Sequence, residues 1–126
     1  MVAEEKEQEK YLIDMNNKET ALYNIVDIVV ACCATEVTDG VMSITSSDVL
    51  GNSRNENVCM TRTILVNQLL WAGFSVTTVA SLLRKTPNSI RHIQRKHDEY
   101  VQSSRAYRIA LSEATIRCRD IEAHGL

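Results

Sequence analysis

Cationic and hydrogen-bonding side chains are concentrated between residues 84 and 96. Lysine and arginine bind phosphate oxygens, whereas asparagine, serine and threonine can bond to phosphates or to base edges. A stretch that combines both kinds of side chain is typical of DNA binding. With two cations from earlier in the chain, the candidate DNA-binding residues are Arg54, Arg62, Arg84, Lys85, Thr86, Asn88, Ser89, Arg91, His92, Arg95 and Lys96.

The charge along the chain is asymmetric, although the net charge of the 126 residues is only −2. Residues 1–50 hold three Lys/Arg and ten Asp/Glu, a net of −7, whereas residues 54–97 hold seven Lys/Arg and one Glu, a net of +6. Residues 98–126 hold four and five, a net of −1. An isolated cationic run is usually a solvated face. This basic block coincides with the helical pattern described next, so we expect it to bind phosphates.

Two short helices joined by a tight turn are predicted within Phe74–His97. Ser75 is placed to cap the first helix, and Thr86 to cap the second, with Pro87 at the first helical position, where no N–H is needed. A basic second helix after a short turn is a helix-turn-helix pattern, here spanning residues 75–100. The inward-facing positions are Val76, Val79, Ala80 and Leu83 in the first helix and Ile90, Ile93 and His97 in the second.

The rest of the chain predicts further helices and no strand, because apolar residues recur at helical spacing and never alternate over a strand length. We therefore expect an all-α multi-helix bundle. Residues 1–19 are predicted to be an acidic N-terminal arm or helix, and residues 20–122 one all-helical domain. The predicted elements are a helix at Thr20–Thr35, one or two helical turns at Val37–Ile44, a loop at Thr45–Asn57, a helix at Asn57–Ala72 with Gly73 just past its end, and a last helix from Ser103 or Ser104 to about Ile121.

No constellation of residues indicates catalysis or metal binding. The four cysteines show no CxxC spacing and sit among apolar residues, so we expect buried free thiols in a reducing compartment. His97 closes an inward stripe and is expected at the edge of the core, whereas His92 shares the outer face with the cations. We predict that the chain is not an enzyme and needs no cofactor or metal ion.

Nothing in the sequence predicts a membrane segment. The longest apolar run, Ile25–Ala34, is interrupted by Asp27 and is shorter than a bilayer-spanning helix. The N-terminal residues MVAEEKEQEK lack the apolar core of a signal peptide. The expected location is therefore the cytoplasm.

Four segments within residues 22–100 share the pattern of a known family. They read EVTDGVMS at residues 36–43, VCMTRTILVNQLLWA at 58–72, SVTTVA at 75–80 and KTPNSIRHIQRKH at 85–97. Together they resemble the C-terminal DNA-binding domain of the bacterial replication initiator DnaA, which belongs to the Trp-repressor-like helical group. The residues that match its signature motif are Ser89, Ile90, His92, Arg95 and Lys96.

The resemblance implies a role for two cations outside the signature. It places Arg62 at a base in the minor groove and Arg54 in a loop on the DNA backbone. The family's Asp-His pair, which reads base edges, is replaced here by Thr86-Pro87, followed by Asn88. No GxxxxGK(S/T) phosphate loop occurs, so the resemblance implies a small bacterial regulator of transcription or replication, nucleoid-associated and without ATPase activity.

The expected mechanism is binding of double-stranded DNA by insertion of the second helix into the major groove. Asn88 and Ser89 would then lie nearest the base edges, and Arg91 would reach a guanine or a phosphate. Phosphate contacts are expected for the remaining cations of this region, Arg84, Lys85, Arg95 and Lys96. The alternative is a helical protein–protein interaction module that has lost DNA binding. The sequence also leaves open whether the chain acts as a single unit or as a homodimer.

Overall fold

Helices make up most of the residues described in this computed structural model, which are 18–34 and 44–121. No strand occurs within these ranges, so the all-α prediction is confirmed for them. None of these helices is long and apolar enough to cross a membrane. The elements are α1 at residues 18–34, α2 at Ser46–Leu50, α3 at Glu56–Trp71, α4 at Val76–Leu83, α5 at Pro87–Ser103 and α6 at Arg105–Cys118.

Side-chain caps define where α4, α5 and α6 begin. The hydroxyl of Ser75 accepts from a backbone N–H in the first turn of α4, and the Thr86 hydroxyl does the same for α5, with Pro87 next in the chain. Each cap satisfies an N–H that has no partner inside the helix, and such a cap is worth about 1 kcal/mol. The predicted starts of these helices are confirmed.

Ser104 links α5 to α6 without any intervening loop. Its backbone N–H donates to the carbonyl of Tyr100 at 2.9 Å and so closes α5. Its hydroxyl accepts from the N–H of Tyr107 at 3.1 Å and so caps α6. One residue therefore serves both helix ends. α5 reaches Ser103, three residues past the predicted end at Tyr100, and α6 ends at Cys118 rather than at about Ile121.

The central helix of the fold is α3, which contacts α2, α4, α5 and α6. Its residues 60–69 are buried on every side, including the polar side chains among them. The Thr61 and Thr63 hydroxyls donate to carbonyls one turn earlier in α3 at 2.8 and 2.9 Å. Gln68 Nε2 donates to Thr115 Oγ1 of α6 at 2.8 Å. Every buried side-chain nitrogen and oxygen of the described residues has such a partner, which removes the cost of burying polar groups.

Apolar side chains from all six helices meet in one core. The predicted inward stripe of α4 faces this core, with Val76 only partly covered, and α1 and α6 also turn apolar stripes towards it, with Leu111 only partly covered. Three of the four free cysteines are buried as expected, and Cys59 is half-buried. Burial raises the pKa of the Cys33 thiol to about 12 and that of the Cys118 thiol to about 11. These two thiols therefore stay protonated at neutral pH and act as small apolar groups.

The predicted loop at Thr45–Asn57 is wrong in part, because it contains the helix α2. Thr45 and Asp48 form a capping box, in which each side chain accepts from the other residue's backbone N–H at 3.1 Å. Val49 of this helix is fully buried, and its contacts with the core offset the weak intrinsic tendency of a five-residue helix. The predicted turns at Val37–Ile44 and the acidic arm at 1–19 lie outside the described residues, apart from Ile44 and residues 18–19.

Candidate nucleic-acid interface

The turn between α4 and α5 places Arg84 in an unusual backbone conformation. Arg84 has φ 53° and ψ 45°, the left-handed region that favours glycine. Its N–H donates to the Ser81 carbonyl at 3.3 Å, and the N–H of Lys85 donates to the Ala80 carbonyl at 2.9 Å. These two bonds form the Schellman arrangement that ends a helix. Because the Arg84 side chain is exposed, the strained turn presents a guanidinium to solvent.

The predicted inward and outward faces of α5 are confirmed. Ile90 is fully buried, and Ile93 and His97 are partly buried. Since successive helical residues turn by about 100°, Asn88, His92 and Arg95 lie opposite this buried stripe. We call the surface of the α4–α5 turn and the first three turns of α5 the basic face. Its side chains, all exposed except half-buried Lys85, are Arg84, Lys85, Thr86, Asn88, Ser89, Arg91, His92, Arg95 and Lys96.

Side-chain contacts orient several residues of the basic face. The Thr86 hydroxyl donates to the Ser89 hydroxyl at 3.1 Å. Arg91 Nη1 donates to Asn88 Oδ1 at 3.2 Å, which leaves the Asn88 amide hydrogens and the other Arg91 donors available. Lys96 Nζ lies 3.1 Å from Glu99 Oε2, and this carboxylate raises the pKa of Lys96. Arg91 and Arg95 make no ion pair with the described residues, whereas the charge of Lys96 is partly neutralised.

The loop between α2 and α3 lies beside the α4–α5 turn. Lys85 Nζ donates to Asn52 Oδ1 at 3.1 Å, although the two residues are 33 positions apart. Arg54, two residues after Asn52, is exposed in the same loop. The sequence did not single out Asn52, because nothing in a local pattern indicates a contact over that separation. The structure thus extends the basic face by a second segment.

Arg62 is placed differently from the expectation of a minor-groove contact. It is only 6% exposed, and all five of its N–H donors are engaged inside the protein. The acceptors are the carbonyls of Asp48, Val49, Gly51 and Ser53, at 2.8–3.2 Å, and the Cys59 sulfur at 3.8 Å. The guanidinium closes the C-terminal end of α2, where carbonyls lack helical partners and carry partial negative charge. Arg62 therefore shapes the loop that carries Arg54 and is not an exposed contact.

His97 occupies the edge of the core, as its position in the stripe predicted. Its Nδ1 lies 2.7 Å from the hydroxyl of the fully buried Tyr107, whose pKa is raised by burial. Its ring also meets the edge of Trp71 at a centroid distance of 5.5 Å. Trp71, the last residue of α3, is 54% exposed, in contrast to the buried middle of that helix. These contacts join α5 to α3 and α6 on the side away from the basic face.

The charges of α5 run against the preference set by the helix dipole. Negative side chains stabilise the N-terminal end of a helix and positive ones its C-terminal end. The first turn of α5 holds no acid and its last turn no base. Its cations, Arg91, Arg95 and Lys96, lie in the middle of the helix, and Asp98 and Glu99 follow them. The charges of α5 therefore gain little from the dipole at either end.

Most of the predicted site residues are brought together on one side of the molecule. The α4–α5 turn and α5 carry nine of them, the α2–α3 loop contributes Arg54, and Arg62 lies beneath that loop. Within the described ranges, no three His, Cys, Asp or Glu side chains are arranged to hold a metal ion. The arrangement can donate many hydrogen bonds to an anionic surface.

The chain was compared with protein-family models, with curated proteins and with solved structures. No family model, no curated protein and no solved structure matches it.

Proposed function

We propose that the protein binds double-stranded DNA through its basic face, with α4–turn–α5 acting as a helix-turn-helix. The observation that carries this proposal is the set of exposed cations around the α4–α5 turn and the first three turns of α5. No Asp or Glu occurs from residue 57 to residue 97, and among the described residues only Lys96 of this surface has an ion pair, with Glu99. A surface of this kind is complementary to a row of phosphates.

The location of each cation suggests its role. Arg84 projects from the turn at the entrance of α5, and Lys85 is held beside it by Asn52. Arg95 lies two turns beyond Asn88 on the outer face of α5, and Arg54 lies on the loop between α2 and α3. We assign phosphate contacts to these four cations, and a weaker contact to Lys96 because it is paired with Glu99.

Asn88 and Arg91 are the proposed base-reading residues. They lie on the outer face within the first two turns of α5, the part of a recognition helix that enters the major groove. Their mutual hydrogen bond makes them one unit, so we expect substitutions at the two positions to be non-additive. Pro87 occupies the helix start without an N–H and offers no side-chain hydrogen bond. We therefore propose binding of limited sequence specificity, in keeping with a small bacterial regulator at the nucleoid.

The test is fluorescence anisotropy with a pool of duplex DNA at about 50 mM and about 200 mM salt. With four or five phosphate contacts, the logarithm of the binding constant should fall against the logarithm of salt concentration with a slope of roughly −4. The double variant Arg54→Ala/Arg95→Ala should reduce the magnitude of this slope by about two, because two assigned phosphate contacts no longer displace counterions.

The matched control is Arg117→Ala, which removes an exposed arginine from the last turn of α6. It should leave the slope nearly unchanged, since this residue lies outside the basic face. Equal losses from Arg117→Ala and Arg95→Ala would mean that the effect follows net charge alone. Absence of binding at low salt would instead favour the helical interaction module.

A selected site would then test base reading. Asn88→Ala should relax the preference at one base position, at a cost of about 1–3 kcal/mol for the preferred sequence. A loss of equal size for all sequences would remove Asn88 from the base-reading role.

A further inference from the structure

A groove runs along α4 and ends at the basic face. One part of it, of about 380 Å³, lies between α1 and α4, and another part, of about 450 Å³, lies between α1, the end of α2 and the α4–α5 turn. Tyr23 and Leu82 line both parts, so the two parts are continuous. We call the whole the α4 groove. It begins at Lys18 and ends at Asn52 and Arg84.

The two ends of the α4 groove differ in their chemistry. Near Lys18 the lining is mainly apolar and includes Leu22 and Phe74. At the other end the groove opens onto Arg84 and onto Asn52, whose Oδ1 accepts from Lys85 Nζ at 3.1 Å. The groove is therefore complementary to a segment in which apolar side chains are followed by acidic ones.

The chain that precedes Lys18 has this order of side chains when it is followed backwards. Residues 11–15 read YLIDM and hold four apolar side chains. Residues 4–9 read EEKEQE and hold four glutamates and one lysine. Residues 1–17, which lie outside the described residues, together hold five Asp/Glu and two Lys, a net of −3. An apolar block beside Lys18 and an acidic block beyond it match the two ends of the groove.

The length of the groove also fits this segment. α1 and α4 run in the same direction, because Lys18 lines the groove with Ser75 and Tyr23 lines it with Arg84. The segment before Lys18 therefore enters the groove after a reversal, and residues 16–17 are both asparagine, which tolerates tight turns. From Ser75 to Arg84 the helix rises about 14 Å. Five extended residues span about 17 Å, so residues 11–15 cover the groove and residues 4–9 reach the basic face.

We propose that residues 11–15 occupy the α4 groove and that the glutamates of residues 4–9 lie on the basic face, where they compete with DNA. The competition rests on the proposed function of that face, whereas the docking of the segment does not. Because the segment belongs to the same chain, its effective concentration at the groove is high and a weak contact is sufficient. Salt screens attraction between exposed charges, so the docked fraction falls as salt concentration rises.

Zero-length carbodiimide cross-linking of the full chain without DNA tests the docking. This reagent joins a carboxylate and an amine that are in contact, and mass spectrometry identifies the joined peptides. We expect a cross-link between residues 4–9 and Lys85, and the Lys96–Glu99 pair, 3.1 Å apart, is the internal standard. A mixture of unlabelled and ¹⁵N-labelled chains distinguishes contacts within one chain from contacts between chains. Absence of the Lys85 cross-link when the standard forms, or its occurrence only between chains, would overturn the proposal.

A pair of substitutions tests the apolar part of the contact. Leu12→Ser/Ile13→Ser should reduce the Lys85 cross-link at least about fivefold, because two apolar side chains lose their burial in the groove. The matched control is Ile109→Ser/Ile116→Ser, which removes two exposed isoleucines from α6 and should leave the cross-link unchanged. Equal reductions in the two variants would overturn the assignment of residues 11–15 to the groove.

DNA affinity tests the competition. Glu7→Gln/Glu9→Gln should tighten binding several-fold at about 50 mM salt and less at about 200 mM, because the competing charges are removed and salt screens them. The control Glu113→Gln/Asp120→Asn removes the same charge outside the basic face, and an equal gain there would overturn the competition. A cross-link without any DNA binding would contradict the proposed function and leave the docking intact. DNA binding without the cross-link would contradict the docking alone.

Discussion

Two consecutive helix ends in this protein use the same hydrogen-bond geometry with different residues. After α3, the N–H groups of Gly73 and Phe74 donate to the carbonyls of Leu70 and Leu69, both at 3.1 Å. After α4, Arg84 and Lys85 make the equivalent pair of bonds. The first turn has glycine at its positive φ of 104°, and the second has arginine at 53°.

The difference lies in the backbone strain that each turn carries. Glycine adopts positive φ without a steric penalty, whereas an L-residue with a β-carbon is disfavoured there by about 1–2 kcal/mol. The Gly73 turn follows the predicted rule for a helix end. The Arg84 turn lies on the basic face, where a strained cation is retained, and strain of this kind is concentrated at functional sites. The two turns should therefore respond to substitution in opposite directions.

Of the substitutions considered, replacement of the buried Arg62 should change the free energy of unfolding most. Arg62→Met should lower the free energy of unfolding by about 3 kcal/mol, because several carbonyls at the end of α2 lose a charged donor. Urea denaturation followed by circular dichroism measures the loss. Arg62→Lys is the control and should give an intermediate loss, since an ammonium has three donors where a guanidinium has five. Unchanged stability in Arg62→Met would mean that the hydrogen bonds from Arg62 to the carbonyls at the end of α2 do not stabilise the fold.

Gly73→Ala tests the first turn. It should lower the free energy of unfolding by about 1–2 kcal/mol, because a β-carbon is added at φ 104°. The same denaturation experiment measures this loss. DNA affinity under conditions where the variant is folded should be unchanged, because the turn is outside the basic face. A neutral effect on stability would mean that the turn relaxes to another conformation at little cost.

Arg84→Gly tests the second turn and should act in the opposite direction. We expect the free energy of unfolding to rise by about 0.5–1 kcal/mol, because the strain at φ 53° is relieved. DNA binding should weaken, with the magnitude of its salt slope reduced by about one. Arg84→Asn separates the two effects, because asparagine tolerates the conformation but lacks the charge. If Arg84→Gly loses stability, the comparison between the turns fails.

Lys96→Ala should have the smallest effect. Its ion pair with Glu99 is exposed, and exposed pairs of this kind contribute little to stability. Because the charge is partly neutralised, the change in DNA affinity should be smaller than for Arg95→Ala. An equal or larger loss of affinity in Lys96→Ala would show that Lys96 leaves Glu99 when DNA binds.

Local patterns predicted every described helix except α2, and the orientation of α5, because capping residues and apolar spacing act within a few positions of the chain. They did not predict the burial of Arg62, which depends on carbonyls 9–14 residues away. The bond between Lys85 and Asn52 and the pairing of His97 with Tyr107 depend likewise on tertiary packing. The predicted basic block therefore contains one cation that folding withdraws from the surface, and charge counting alone could not identify it.

The single residue that joins α5 to α6 has a geometric consequence for the whole molecule. Because Ser104 both closes α5 and caps α6, the rotation of α6 about its own axis relative to α5 is set at one backbone position. Each inserted helical residue would rotate α6 by about 100° relative to α5. A molecule that contacted the outward side of α6 would therefore meet it in an orientation fixed relative to the basic face, and a single insertion at this joint would change that orientation.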